Sequence, residues 1–133
     1  MLPFTNKRLL IRTDDGFVPD DFGHEHFLVV KENGFTALLS GCAHNGILSI
    51  LDAYQEKYGG LPDIVISGFH LMLKRDYRDN ELEEVRAIAE ELKTYHTRFF
   101  TCHCTGLPAF EEMKKIMGDQ LEYVHSGEEV SIG

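Results

Sequence analysis

The sequence predicts an α/β layer fold, and three observations carry that reading. Apolar runs of strand length come first; segments with helical spacing then alternate with further strands; and the later strands run into glycine-containing turns that lead towards helices. That order builds a helix-covered sheet rather than a bundle or a pair of stacked sheets. A chain of 133 residues, 43% hydrophobic, fits one domain over residues 1–133, because about 100–150 residues is the commonest domain size.

Taken in order, residues 7–13 read as a short edge strand. The stretch DDGFVPDDFG (14–23) reads as loop, since Asp, Gly and Pro favour turn geometries. HFLVVKENGFTALLS is a hairpin, with Asn33-Gly34 supplying the positive φ angles of a tight turn. Over residues 45–58, Ile47, Leu48, Ile50, Leu51 and Tyr54 recur at helical spacing until Gly59-Gly60 stops the helix. DIVIS (63–67) is continuously apolar, as in a strand covered on both faces.

NELEEVRAIAEELKTY follows as a helix with Asn80 as its cap, carboxylates in its first turn and Leu82, Val85, Ile88, Ala89 and Leu92 in one stripe. TRFFTCH is the next strand. Thr105, with Pro108 just inside, opens a short helix that Gly118 closes. Residues 121–124 and 129–132 complete the chain as two small strands.

A formal charge of -9 excludes a general affinity for nucleic acid or anionic lipid, since neither counterion release nor a polybasic attraction is available. A small-molecule substrate or another protein is the expected partner. No apolar run approaches the roughly 20 residues needed to cross a bilayer, and the amino end lacks the order of a signal peptide. Three cysteines, two of them in Cys102-His103-Cys104, fit a reducing compartment, so the expected location is cytoplasmic.

His44, His70 and His103 each follow an apolar strand directly or after a short turn, with Gly41, Gly68 or Gly106 close by to let backbone and ligand approach. In α/β sheets ligands gather outside the carboxyl ends of the strands, and neutral imidazole is the commonest metal ligand. A shared site and three separate structural histidines both remain open on this reading. Two of the junctions lead into helix amino ends, which favour an anion, so phosphate binding competes with metal binding, and plain capping by Asn45 and Thr105 competes with both.

If the strand persists through residue 103, Cys102 and Cys104 share the face opposite His103, which argues against a chelate and makes them structural thiols. Cys42 lies at a glycine turn near a helix start, a setting that lowers thiol pKa values, but the sequence assigns it no partner base. His24 and His26 of GHEH project to one side and fit a register or tethering role. Asp14-Asp15 and Asp20-Asp21 solvate and cap turns, His96 and His125 read as surface, and LKRDYRD (73–79), with Lys74, Arg75 and Arg78, reads as an exposed loop or a lid for an acidic substrate.

The strings DDFGHEHFLVV, LLSGCAHNGILSILD, DIVISGFHLM and CHCTG, in that order from about residue 14 onward, resemble the carboxyl-terminal part of the metallo-β-lactamase-fold hydrolases. The nearest branch is the 7,8-dihydropterin-6-methyl-4-(β-D-ribofuranosyl)-aminobenzene-5'-phosphate synthase-like one. The resemblance implies half of an αβ/βα sandwich with a mixed sheet covered by helices, and a divalent metal, zinc first, with iron or manganese as alternatives. It implies His44 and His103 as metal ligands, with His70, Cys42, Thr105 and Gly106 as substrate or supporting residues. The His-x-His-x-Asp-His motif of the family's amino-terminal half is absent.

The expected function is therefore a metal-dependent, zinc-type hydrolase, or the metal- and substrate-binding half of one, acting on a phosphorylated or pterin-like small molecule. A homodimer or a missing amino-terminal half would complete it. The competing expectation is a non-catalytic α/β binding or assembly module whose helix amino ends hold an anion.

Overall fold

The structure, a computed structural model, describes Phe4 and residues 9–131. Asp14 and Asp15 close a tight turn instead of opening a long loop, and Gly16 at φ 122° lets the chain reverse. The result is an exposed hairpin of β1 (Leu10–Thr13) and β2 (Gly16–Pro19), pinned by the Thr13 hydroxyl donating to the Gly16 carbonyl at 3.0 Å. The expected loop is thus partly strand, and the expected edge strand pairs only with β2 in its own sheet. Residues 7 and 8 lie outside the described residues.

The main sheet begins with the expected hairpin. Asn33 and Gly34, at φ 51° and 82°, join β3 (Phe27–Glu32) to β4 (Phe35–Ser40), the left-handed pair that a two-residue turn requires. Helix α1 (Ile47–Tyr58), ended by left-handed Gly59, leads to β5 (Ile64–Ser67). Helix α2 (Asp79–Lys93) precedes β6 (Arg98–Thr101), and α3 (Leu107–Met117) precedes β7 (Leu121–Tyr123). The strand order is β3-β4-β5-β6-β7, with the first pair antiparallel and the others parallel. This is the mixed sheet that the fold class called for.

Alternation along the strands divides the apolar side chains between two faces. Leu38, Val65, Phe99 and Leu121 form one core with Ile47 and Leu51 of α1, Val85 and Leu92 of α2 and Met113 of α3. Ala37, Ile64 and Phe100 point the other way and pack with Leu39, Ile66, Val124 and Val130; no residue of the three helices belongs to that cluster. The DIVIS run is apolar on both sides as expected, yet among the described residues only one side carries helices. Residues 129–131 form no strand, and residue 132 lies outside the described residues.

Helix α2 starts before the expected cap. The Arg78 N–H donates to Glu81 Oε1 at 2.9 Å, and the same carboxylate takes both arms of the Arg75 guanidinium at 2.7 and 2.9 Å. A returned carboxylate and a forked charge-assisted pair outweigh the weaker capping preference of Asn80, which lies inside the helix.

The Arg75 pair, followed by the Arg78 N–H, holds the Glu81 carboxyl down at about 2. A depressed folded pKa contributes stability above the unfolded value, and that contribution is lost as pH falls through the folded one. Glu81→Gln should therefore lower the thermal midpoint at neutral pH by a few degrees, with the gap from the parent closing between about pH 5 and about pH 2. Melting curves across that range check it, and a pH-independent gap would show that the charge is not what matters.

Candidate functional site

Because β4, β5 and β6 run parallel, their carboxyl ends share one edge of the sheet. Backbone groups fasten the segments that follow. The Gly68 N–H donates to the Gly41 carbonyl at 2.9 Å, and the Leu71 and Met72 N–H groups donate to the Cys104 carbonyl at 3.0 and 2.9 Å. The Thr105 hydroxyl accepts the Phe69 N–H at 2.8 Å and bonds the Thr101 hydroxyl. Ala43, His70 and His103, one per strand end, all adopt left-handed φ values of 51°, 52° and 50°. Non-glycine residues held there by surrounding contacts cluster at functional sites.

The His103–Thr105 segment is a single 3-10 turn, so strand alternation ends at Thr101. That turn overturns the expectation that Cys104 faces away from His103. Cys42 Sγ lies 3.9 Å from His103 Nδ1, and the Cys104 thiol reaches the Cys42 carbonyl at 3.6 Å. The donor atoms of Cys42, His103 and Cys104 all lie within 4.8 Å of one another. The imidazole beside the Cys42 thiol, which the sequence did not assign, is thus that of His103. Burial, then the Cys42 thiol, pushes Cys104 well above the usual thiol range, and burial raises Cys102 too.

A second group adjoins the first. Glu25 accepts the backbone N–H of His44 through Oε1, and through Oε2 the N–H and the side-chain amide of Asn45 at 2.9 and 2.7 Å. His44 Nδ1 lies 3.3 Å from Glu25 Oε1, Phe22 stacks on the His44 ring at 4.7 Å, and the His70 ring stands edge-on to it at 4.5 Å. Burial, then the charge His44 can carry, lowers the pKa of His70; Glu25 opposes this and His103 adds to it. His70 is thus held neutral at physiological pH beside the His44 ring.

The residues singled out in the sequence divide accordingly. His103 joins Cys42, while His44 joins His70 and Glu25 and is not part of the 4.8 Å trio. Thr105 is buried behind His103, and Gly106, at φ 77°, caps α3 against Met72. Asn45 and Thr105 are not caps: Gly46 and Gly106 hold those positions, and the N–H groups ahead of α1 go to the Glu25 carboxylate. His24 and His26 are exposed, His96 and His125 pair with Asp63 and Glu128 at the surface, and Asp20 and Asp21 cap the turn at Phe22 and Gly23. Arg75 is held by Glu81.

Glu25 and Cys104 were not chosen from sequence. Glu25 carried one signal, since alternation in GHEH sends it opposite to the two histidines. Cys104 carried none, because its direction depends on the turn at His103.

No family model and no curated protein matches the chain. Among the solved structures that match is one with a TM-score of 0.73 at 26% sequence identity, over 92% of this chain and 46% of its own. The shared architecture defines the class: a β-lactamase-like α/β fold. That neighbour is Tm1679, a metal-dependent hydrolase of the β-lactamase superfamily, and this chain spans less than half its length.

The donor set suits a divalent metal. Two sulfurs and an imidazole are zinc-type ligands, and bonds of about 2.0–2.3 Å place tetrahedral donors roughly 3.3–3.8 Å apart, so the trio needs to close by only about an ångström. The raised pKa of the Cys104 thiol means that an ion must displace its proton as it binds.

The close approach rests on Gly68, where a β-carbon would stand 2.5 Å from Cys104 Sγ and 3.2 Å from the Cys102 carbonyl oxygen. Gly68→Ala should cost about 1–3 kcal/mol by overpacking and should make the Cys104 thiol more reactive. Urea unfolding and thiol-labelling rates check both, and an unchanged midpoint would mean that the strand ends are looser than described.

Proposed function

We propose that the chain is the metal-binding portion of a divalent-metal-dependent hydrolase, zinc-type, that acts on a phosphorylated or pterin-like small molecule. The observation that carries the reading is the Cys42, His103 and Cys104 cluster at the carboxyl ends of parallel strands, in a fold shared with a metal-dependent hydrolase. The substrate class rests on the sequence resemblance.

Cys42 and His103 would hold the ion, with Cys104 as the third donor after loss of its proton and His44 beside them. A bound divalent ion supplies Lewis acidity towards a carbonyl or phosphoryl oxygen. Glu25 next to Nδ1 favours the His44 proton on that nitrogen. His70, kept neutral by burial and by its imidazole neighbours, can take a proton from an attacking group. Phe22 closes the other side of the His44 ring and restricts water there.

Metal analysis by inductively coupled plasma mass spectrometry, after dialysis against a mild chelator, tests the reading. The wild-type chain should retain close to one equivalent, and Cys42→Ser/His103→Ala should retain none while keeping its circular dichroism. Uptake should weaken as pH falls, because the thiols must lose protons to bind. Wild-type protein without metal, or uptake that survives the double variant, would favour the non-catalytic binding module.

A further inference from the structure

The three cysteines of the chain are all free thiols, and the turns past the strand ends bring two of them together. Cys42 follows β4 and Cys104 follows β6, with β5 between those strands. Gly68, in the turn after β5, leaves open the space a side chain would fill, and the Cys104 sulfur takes it: a β-carbon on Gly68 would stand 2.5 Å from Cys104 Sγ. Through that gap the Cys104 thiol reaches the Cys42 carbonyl at 3.6 Å, and the two sulfurs lie within 4.8 Å of each other. The neighbouring backbone is fixed, the Gly41 carbonyl by the Gly68 N–H and the Cys104 carbonyl by the N–H groups of Leu71 and Met72.

A sulfur–sulfur bond is about 2.05 Å long, so the two atoms need to approach by less than about 3 Å. Rotation between staggered side-chain positions moves a cysteine sulfur that far. The two thiols differ in access, since Cys104 is 6% exposed and Cys42 is half-buried. An incoming disulfide therefore meets Cys42 first, and Cys104 is the thiol placed to resolve the product. Cys102 does not belong to the close group.

We propose that Cys42 and Cys104 form a reversible disulfide by exchange with a low-molecular-weight disulfide such as oxidised glutathione, and that this bond and a metal ion compete for the same two sulfurs. In the first step the Cys42 thiolate attacks one glutathione sulfur, the glutathione S–S bond breaks, and the other half leaves as a thiolate that takes up a proton. In the second, Cys104 loses its proton and attacks Cys42 Sγ, expelling the remaining glutathione, which is protonated in turn. Two protein thiols are oxidised, one glutathione disulfide is reduced to two thiols, and the protons balance. The disulfide rests on the geometry of the thiols alone. The competition rests on the metal-binding function proposed above, because the bond takes two of the three donors in the Cys42, His103 and Cys104 group.

Metal-free chain exposed to oxidised glutathione should lose two of its three thiols, titrated after unfolding, and retain no glutathione. Mass spectrometry of a digest should show Cys42 linked to Cys104, and dithiothreitol should restore all three thiols. Cys102→Ser should close the same bond, whereas Cys42→Ser should leave Cys104 without that link; if either variant fails to fold, the wild-type peptide map decides. Zinc at about ten times its dissociation constant leaves roughly a tenth of the chains metal-free, so closure should slow about tenfold. Glutathione that stays on Cys42, a link through Cys102, or three thiols surviving the exchange would overturn the disulfide. Closure at an undiminished rate with zinc bound would overturn the competition. A chain that closes the bond but takes up no zinc would overturn the competition together with the metal reading, and would leave the disulfide established by its peptide map.

Discussion

Gly68 passes so close to the Cys104 sulfur that any β-carbon there would intrude on it. That approach lets the turn after β5 lie between the end of β4 and the 3-10 turn after β6. Gly41, Gly68, Phe69, Thr105 and the Cys104 carbonyl then lock the three segments together through short hydrogen bonds. With their backbones fixed, Ala43, His70 and His103 are held at left-handed angles that isolated residues of these types seldom adopt. The site is therefore built on turns just past the strand ends, whose side chains are aimed by hydrogen bonds between those turns.

Two chemistries meet on that platform. The thiols and His103 form a soft donor set in which the buried Cys104 sulfur favours protonation until a cation competes for it. Beside it, the Glu25 carboxylate binds the N–H groups of His44 and Asn45 ahead of α1, the kind of position where a chain often captures an external anion. An internal carboxylate there fixes the His44 ring while Phe22 stacks on its other face. The helix amino end that sequence offered as a phosphate cradle is thus used to orient an imidazole.

The fold is one-sided. All three helices pack on the Leu38, Val65 and Phe99 face and carry much of the negative charge outward, while the Leu28, Val30 and Phe35 face stays apolar. No helix of the described residues is long and apolar enough to cross a membrane. A β-sheet with apolar side chains on both faces gains its full burial only when both are covered; among the described residues Val124 and Val130 pack the β6 side of the second face, while Leu28, Val30 and Phe35 stay exposed.

Local chemistry made much of this legible. Asn33-Gly34 determined the hairpin through its positive φ, the spacing of Ile47, Leu51 and Tyr54 determined α1, and the apolar run at residues 63–67 determined a central strand. The placement of His44, His70 and His103 after strands was likewise readable, because each follows an apolar run and lies near a glycine. Tertiary structure alone decided which side chains meet. Cys104 reaches Cys42 because a 3-10 turn breaks the alternation that sequence extends by default, and that turn is held by Phe69 and Leu71, more than thirty residues earlier. Glu25 outranks its flanking histidines because its two oxygens find donors about twenty residues away. Arg75 displaces Asn80 in shaping the start of α2 because a forked ion pair outweighs a capping preference. Period and turn chemistry are encoded within a few residues, whereas the direction of a side chain at a strand end depends on which distant backbone groups fasten the turn.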